Sequence, residues 1–202
     1  MSELDLKLSG RQLIAGQSQA DGATRFVARD ASTGDSLEPQ FTEATAGEVD
    51  ACLQAADQSV AALRAASPQQ IADLLRRIAA GLEQAGDVLL QRAHQETGLP
   101  LARLTGERAR TVGQARMFAD LVEEGSWVQA RIDHGDSERT PLPKPDVRTM
   151  LCGVGPVAVF GASNFPLAIS VAGTDTVSAL GARCPVVVKA HPGHPGTCEL
   201  VG

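Results

Sequence analysis

Two short apolar runs near the end of the chain, Pro156-Val-Ala-Val-Phe160 and Pro185-Val-Val-Val-Lys189, limit the possible folds most strongly. Each run is too short for a core helix and is apolar at successive positions, which indicates a strand with both faces buried. Such strands belong to parallel sheets that are covered by helices on each side. The stretch Pro166–Leu180 between them is predicted to be the connecting helix, ended by Gly181. The sequence therefore predicts an α/β fold for residues 151–202.

Helical patterns dominate the first half of the chain. The run Thr45-Ala-Gly-Glu48 has the residues of a capping box, and Ser67-Pro68-Gln69-Gln70 is a second helix start. Two further helices are predicted at about Val88–Thr97 and at Leu101–Glu124, each followed by a glycine. We assign these helices, together with a polar and turn-rich beginning, to a segment of residues 1–126.

The periodicity changes to that of strands between the helical and the α/β segments. Trp127–Ile132 and Val147–Cys152 are predicted strands, and a charged, proline-rich stretch separates them. Prolines in such a stretch protect a projecting ribbon from uncontrolled pairing. Residues 127–150 are therefore predicted to form a β-ribbon. A tighter hairpin bend is predicted at Thr33-Gly34-Asp35.

Charge and hydropathy exclude several classes of protein. Eighteen Lys and Arg residues against 24 Asp and Glu residues give a formal net charge of −6. This balance argues against nucleic acid or an anionic membrane as the main partner. No apolar stretch reaches the length of a membrane span, so we expect a cytoplasmic protein. The four cysteines lie in apolar patterns at irregular spacing, and we expect buried free thiols at Cys52, Cys152, Cys184 and Cys198.

The sharpest motif is Phe160-Gly-Ala-Ser-Asn164-Phe165-Pro166, which follows the first predicted strand. Ligands of open α/β sheets bind at this end of a strand, where the amide of Asn164 can stabilise an oxyanion. The alternative is that Asn164 caps a helix that opens at Pro166. On the residues alone, the capping interpretation is the stronger of the two.

The second motif is Lys189-Ala-His191-Pro192, at the end of the second predicted strand. A lysine there can reach a ribose hydroxyl or a phosphate, and a lysine that simply ends a strand in solvent is equally compatible with the sequence. His191, His194 and Cys198 have the atoms of metal ligands. Because prolines interrupt them and no second cysteine pair is near, we expect no metal site.

The order of these motifs resembles the aldehyde dehydrogenase superfamily. Asn164-Phe165-Pro166, a small-apolar segment and Pro-Val-Val-Val-Lys189 follow one another as in that family, and the similarity begins at about Phe26. The stretch Gly155–Gly202 most resembles bacterial 2-oxoglutarate semialdehyde (2,5-dioxopentanoate) dehydrogenases. Upstream agreement lies in Arg76-Arg77-Ile78-Ala79, Glu96-Thr97-Gly98 and Arg116-Met-Phe118-Ala119.

The resemblance implies a fold and a reaction. The fold would be a Rossmann-like cofactor-binding domain, incomplete here, with an N-terminal helical layer and with residues 127–150 as an oligomerisation arm. The reaction would be NAD- or NADP-dependent oxidation of a carboxylated aldehyde, in a homodimer or homotetramer. The family's nucleophilic Cys, general-base Glu and pyrophosphate-binding turn find no match in this chain. We therefore expect a truncated and inactive chain, and the alternative is a non-catalytic chain that binds nucleotide or pairs with subunits.

The resemblance also implies roles for individual residues. Asn164 matches the oxyanion-hole residue, and Lys189 matches the lysine that contacts the adenosine ribose. Many NAD-preferring members have Glu where this chain has Pro192, so we expect NADP to be accepted well, with help from His191. The nicotinamide side of the cofactor site would be lined by Val159, Phe160, Gly161, Ala162 and Ser163.

Substrate choice is predicted to depend on Arg110. Arg110 falls where family members place an apolar residue of the aldehyde tunnel, and Gln114 lies one helical turn away. An arginine fork at the tunnel mouth would bind a substrate carboxylate, with Phe165 as a further substrate contact. The alternative, that Arg110 is one of several solvated arginines beside Arg103 and Arg108, is equally open.

Overall fold

Two antiparallel β-hairpins precede the helices. The computed structural model describes residues 7–202. The second hairpin turns at Thr33-Gly34-Asp35, as predicted, with Gly34 at φ +79°. Strand β1 (Gln12–Ile14) pairs with β2 (Gln17–Gln19), and β3 (Arg25–Arg29) pairs with β4 (Ser36–Thr42).

Four helices follow, and the predicted starts of the first, second and fourth are confirmed, while the third begins at Gly86, two residues before the predicted start. The Thr45 hydroxyl accepts from the Glu48 amide at 3.1 Å, and the Glu48 carboxylate accepts from the Thr45 amide at 2.8 Å. Ser67 and Gln70 make the same reciprocal pair. No helix within residues 7–202 is long and apolar enough to cross a membrane. The helices are α1 (Ala46–Ala65), α2 (Pro68–Gln84), α3 (Gly86–Thr97) and α4 (Leu101–Glu124).

The apolar core lies between α2, α3 and α4. Helix α4 contributes Leu104, Val112, Ala115 and Ala119, which recur at helical spacing on one face. The remaining core residues come from α2, α3 and the α/β segment, and include Ile71, Leu75, Leu89, Leu167 and Val177. This packing places one side of α4 directly against the chain that follows the first strand of the parallel sheet.

The ribbon forms, but its strands are shorter than predicted. The prediction of a strand at Trp127–Ile132 is wrong in its first half, where Ser126–Val128 forms a 3-10 turn. Gln129 then adopts φ +47°, a left-handed conformation that interrupts an extended run. Only β5 (Arg131–Asp133) and β6 (Val147–Thr149) pair as strands.

The second predicted strand of the ribbon, Val147–Cys152, ends early at Thr149. Beyond it, the Leu151 amide still donates to the Val128 carbonyl at 2.8 Å. All four cysteines are free thiols, and Cys184 and Cys198 are buried as expected. The expectation of burial is wrong for Cys152, which is exposed because it follows the solvent-exposed ribbon.

The α/β segment contains a parallel strand pair, as predicted, but the expected burial of both strand faces is wrong within residues 7–202, since Ala158 and Phe160 are exposed. Strand β7 (Val157–Phe160) pairs with β8 (Val186–Lys189), with Phe160 opposite Lys189. Helix α5 (Thr174–Gly181) connects the two strands. Helix α6 (Pro195–Val201) follows β8.

The predicted helix Pro166–Leu180 is wrong over its first half, since only Thr174–Gly181 is helical. The amides of Leu167 and Ala168 donate to a side chain of α4 rather than to the backbone of their own segment. Gly173 also packs closely on the backbone, because a Cβ there would lie 2.4 Å from the Ala168 carbonyl oxygen. Tertiary contacts therefore hold residues 166–173 in turns that the apolar pattern does not reveal.

Candidate functional site

The two predicted motifs meet at the carboxyl ends of β7 and β8. Phe160 and Lys189 are register partners, and the Gly161 amide donates to the Lys189 carbonyl at 3.2 Å. A Cβ at Gly161 would lie 3.0 Å from the Ser170 hydroxyl and 3.4 Å from the His191 amide nitrogen. The absence of a side chain at Gly161 thus lets the two strand ends approach each other.

Asn164 lies in the turn beyond β7 and is exposed. Its carbonyl oxygen accepts from Nη2 of Arg103 on α4, at 2.6 Å. The Arg103 guanidinium also lies over the Phe165 ring, 5.2 Å from the ring centroid. The helix-cap interpretation of Asn164 is wrong, because no helix begins at Pro166. Its side chain is free to face a ligand.

Glu107 is a site residue that sequence reasoning missed. It is 5% exposed, and its Oε1 accepts from the Leu167 amide at 2.7 Å and from the Ala168 amide at 2.9 Å. Its Oε2 has no hydrogen-bond partner. One signal was available, since Glu107 is charged on the apolar side of a predicted helix. A buried carboxylate normally has a tertiary partner.

A second buried glutamate, Glu96, performs a similar task at α6. Its carboxylate accepts from the Gly196 amide, the Thr197 amide and the Thr197 hydroxyl at 2.7–2.8 Å. Nε of Arg92 lies 3.0 Å from Oε1, which makes an ion pair although the N–H direction does not meet hydrogen-bond geometry. The Glu96-Thr97-Gly98 motif, quoted above only for its resemblance, thus anchors the start of α6.

His194 connects α6 to the Asn164 turn. Its Nε2 lies 2.8 Å from the Ala162 carbonyl oxygen and its Nδ1 lies 3.3 Å from Sγ of Cys198. Burial lowers the pKa of His194, but the Cys198 sulfur and the Ala162 carbonyl favour the charged ring and leave a net rise. Because both ring nitrogens are engaged, His194 is not available to bind a metal ion. Residues 7–202 contain no group of three candidate metal ligands.

The other cofactor-site candidates are more open. Burial and the neighbouring charges of His194 and Lys189 lower the pKa of His191, whose Nδ1 accepts from the Gly193 amide at 3.0 Å. The two histidine rings stack at 5.1 Å. Lys189, Pro192 and Ser163 are exposed at the strand ends. His191 is therefore neutral near pH 7, and Lys189 is the cation at this edge.

Arg110 and Gln114, two of the three proposed substrate residues, lie on the side of α4 that faces the turns after β7. The third, Phe165, lies in those turns. Arg103, Glu107, Arg110 and Gln114 follow helical spacing along one face. Oε1 of Gln114 accepts from the Thr174 hydroxyl at 2.6 Å. Arg110 is exposed and makes no hydrogen bond or ion pair within residues 7–202.

Two of the three neighbouring arginines have protein partners, whereas Arg110 is exposed, as the solvated-arginine alternative expects. Arg108 donates to the Gly86 carbonyl at 2.8 Å, and Arg103 contacts Asn164 and Phe165. Neither is merely solvated, and of the three only Arg110 is without a partner in the described part of the chain. The structure thus brings Asn164 and Phe165 to Arg103, while Arg110 shares their side of α4 without touching them.

Comparison with known proteins identifies the family. The model of the aldehyde dehydrogenase family matches residues 19–202. An alpha-ketoglutaric semialdehyde dehydrogenase 2 from Azospirillum brasilense is 49% identical over 98% of this chain and 38% of its own length. An alpha-ketoglutaric semialdehyde dehydrogenase from Acinetobacter baylyi is 50% identical over 96% of this chain and 37% of its own length. The chain thus spans well under half the length of these curated relatives.

The fold agrees with this assignment. A crystal structure of succinate-semialdehyde dehydrogenase from Burkholderia pseudomallei is 29% identical, with a TM-score of 0.80 over 100% of this chain and 39% of its own. The α/β segment, the helical layer and the ribbon are therefore part of a known fold. The chain belongs to the aldehyde dehydrogenase family.

Proposed function

We propose that this chain supplies the oxyanion-binding side chain and one edge of the nucleotide site of an enzyme that oxidises 2-oxoglutarate semialdehyde to 2-oxoglutarate. Two relatives at about 50% identity are named for that aldehyde. Because the chain spans 38% and 37% of those relatives, the nucleophile and general base would lie in residues outside it. The longer protein is called the complete enzyme below.

The observation that carries this proposal is the exposed Asn164 at the carboxyl end of β7. Its backbone is fixed from two sides, by Arg103 at its own carbonyl and by His194 at the Ala162 carbonyl. The side-chain NH₂ is then preorganised to donate to an aldehyde oxygen as negative charge develops on it. Donors fixed before the reaction stabilise the transition state without reorganisation.

Replacing Asn164 with Ala tests this role. We expect kcat of the complete enzyme to fall roughly 10²–10³-fold, the loss measured when one oxyanion donor is removed. The KM of the nucleotide should stay unchanged, because the lost group contacts the reacting oxygen only. Gln69→Ala, which removes an exposed amide from α2, outside the proposed site, is the control. Unchanged kcat in Asn164→Ala would refute the oxyanion assignment.

The residues at the strand ends fit a nicotinamide dinucleotide, the cofactor of this family. Lys189 presents a cation at the carboxyl end of β8, and the glycine at position 161 leaves room beside it. Lys189 and His191 would hold the adenosine side, and the segment from Val159 to Ser163 would line the nicotinamide side. When bound, the nicotinamide accepts the hydride that leaves the aldehyde carbon.

Pro192 favours NADP over NAD in this proposal. An acidic residue at this position would repel a 2′-phosphate, and Pro192 leaves Lys189 free to pair with it. Since His191 is neutral near pH 7, it would contribute a hydrogen bond rather than a charge. We expect Pro192→Glu to lower the NADP/NAD ratio of kcat/KM by about tenfold, one lost charge-assisted contact. An unchanged ratio would contradict the assignment.

The proposed carboxylate recognition rests on Arg110. Unlike Arg103 and Arg108, it has no hydrogen-bond or ion-pair partner within residues 7–202. It shares a helical face with Glu107 and Gln114. Glu107 contacts the turns after β7, and Gln114 contacts Thr174, the first residue of α5. An arginine fork at this place can pair with the far carboxylate of the semialdehyde.

The Arg110→Met variant tests whether Arg110 binds the substrate carboxylate or has only a structural role. We expect a loss of roughly 2–4 kcal/mol in kcat/KM for the carboxylated aldehyde and little change for an uncharged aldehyde of equal length. Arg108→Met, on another face of α4, is the matched control. Equal losses on both aldehydes would mean that Arg110 is structural.

The ribbon of β5 and β6 is proposed to pair with a second subunit. Every residue of both strands is exposed, including Ile132 at 57% exposure. Val147 and Met150, on and beside the paired strand, are exposed as well, and several exposed apolar side chains on one ribbon favour a surface that a partner covers. Sedimentation that shows only monomer at micromolar concentration would contradict a dimeric or tetrameric enzyme.

A further inference from the structure

Two side chains one turn apart on α4 form hydrogen bonds with the backbone of the segment that carries Asn164. Arg103 donates to the Asn164 carbonyl, and Glu107 accepts from the Leu167 and Ala168 amides. The segment from Asn164 to Ala168 is thus held at both ends by one rigid helix. We call Arg103 and Glu107 the α4 clamp.

The segment has little structure of its own. It lies outside the helices and strands, and it takes part in two backbone–backbone hydrogen bonds, neither of them made by Asn164: the Phe165 carbonyl accepts from the Ile169 amide at 3.1 Å, and the Ala168 carbonyl accepts from the Thr174 amide at 3.0 Å. The Ala162 amide donates to the Ile169 carbonyl at 2.8 Å and closes the loop around the segment. Asn164 itself makes no side-chain hydrogen bond within residues 7–202. The position of its amide group therefore depends on how the backbone is held.

Glu107 is an unusual choice for a purely structural contact. Its carboxylate is buried, has no ion pair within the described residues, and leaves Oε2 without a hydrogen bond. Burying a charged group with an unsatisfied oxygen is costly. In return, Glu107 accepts hydrogen bonds from the backbone amides of two consecutive residues, Leu167 and Ala168. These residues immediately follow Asn164-Phe165-Pro166.

We infer that Glu107 and Arg103 are positioning residues that set the orientation of the Asn164 amide for oxyanion stabilisation. This inference rests on the proposed role of Asn164. A displacement of about 1 Å at a reacting group can cost roughly 10²-fold in rate. A clamp on both sides of Asn164 limits such displacement.

The test is a double-mutant cycle in the complete enzyme. We expect Glu107→Ala to lower kcat about 10- to 100-fold, with the KM of the nucleotide unchanged. Glu107→Gln should restore most of kcat, because its amide oxygen can still accept from Leu167 and Ala168. In an Asn164→Ala background, Glu107→Ala should cause almost no further loss, since it acts through a group that is absent.

Arg103→Met covers the case in which Glu107→Ala fails to fold. Arg103 is exposed, so its replacement leaves the core intact. We expect Arg103→Met to lower kcat several-fold when Asn164 is present and to have almost no effect in the Asn164→Ala background. If either substitution costs the same factor with and without Asn164, the clamp is only structural and the inference is wrong. If Asn164→Ala itself leaves kcat unchanged, the oxyanion assignment fails instead, so the two failures can be told apart.

Discussion

Glu96 and Glu107 perform the same task on neighbouring helices, yet their surroundings differ. Each is buried, and each accepts the amides of two consecutive residues in a segment that follows a strand of the parallel pair. Glu96 has partners on both oxygens and Arg92 beside it. Glu107 uses one oxygen only and has no cation within salt-bridge distance in the described residues.

The difference indicates two purposes. The Glu96 network joins α3 to α6, and Nη1 of Arg92 extends it to the Glu38 carbonyl near β4. It ties three parts of the chain together and contributes to stability. Glu107 joins α4 to a single turn beside Asn164, where the exact position of the backbone matters more than the number of bonds. We expect the first carboxylate to dominate unfolding and the second to dominate activity.

The largest effect is expected from Glu96→Ala. Removing this carboxylate leaves three buried donors without an acceptor and the buried Arg92 guanidinium without its ion-pair partner, and we expect the free energy of unfolding to fall by about 3–5 kcal/mol. Urea unfolding of the complete enzyme measures the loss. Glu83→Ala is the control, because Glu83 is half-exposed and its ion pair with Arg116 is worth at most about 1 kcal/mol. Losses of equal size would remove the distinction between the two regions.

Conservative amides sharpen the comparison. At Glu96, a glutamine in either orientation places an NH₂ group against a buried N–H donor, so Glu96→Gln should cost roughly 2–3 kcal/mol of stability. At Glu107 the NH₂ can take the place of the unpartnered Oε2, and Glu107→Gln should cost less than about 1 kcal/mol. The same urea titrations decide the point. A larger loss at Glu107 than at Glu96 would contradict the bonding pattern described here.

The smallest effect concerns His194, which links the two regions. Its folded-state pKa is raised, so the charged ring contributes stability that is fully present below its unfolded value of 6.5 and is lost as the pH rises through the folded value. The Tm difference between the wild type and His194→Gln should therefore shrink by at most a few degrees from about pH 6 to about pH 8. Both proteins are compared in a His191→Gln background, because the lowered pKa of His191 depends partly on the neighbouring charge of His194. A difference that grows with pH would reverse the assigned sign.

The sequence predicted those parts of the fold that local rules determine. Capping residues located the starts of α1 and α2, glycines located the ends of α3 and α4, and apolar runs located β7 and β8. The error in the predicted helix Pro166–Leu180 has a tertiary cause. Residues 166–173 have an apolar helical pattern, but Glu107, far away in sequence, captures their amides. The hydrophobic pattern of one segment cannot predict a hydrogen-bond partner that is distant in sequence.

In the candidate site, too, the sequence predicted what local patterns and topology determine, and missed what depends on tertiary packing. The strand ends could be predicted because parallel topology places them together, and this located Asn164 and Lys189. The residues that hold those groups, Arg103, Glu107 and His194, lie on other elements. Their side chains were visible in the sequence, but their partners became known only from the packing of α4 and α6.

The contact between Glu96 and the start of α6 also has a consequence for recombination between related genes. Gly196 has no room for a side chain, since a Cβ would lie 2.3 Å from Nε of Arg92, and Thr197 gives both its amide and its hydroxyl to Glu96. These partners are separated by about a hundred residues. A hybrid gene joined anywhere between residues 98 and 194 takes one half of this contact from each parent. Crossovers should therefore yield folded protein only where both parents encode the same acid, glycine and hydroxyl at these three positions.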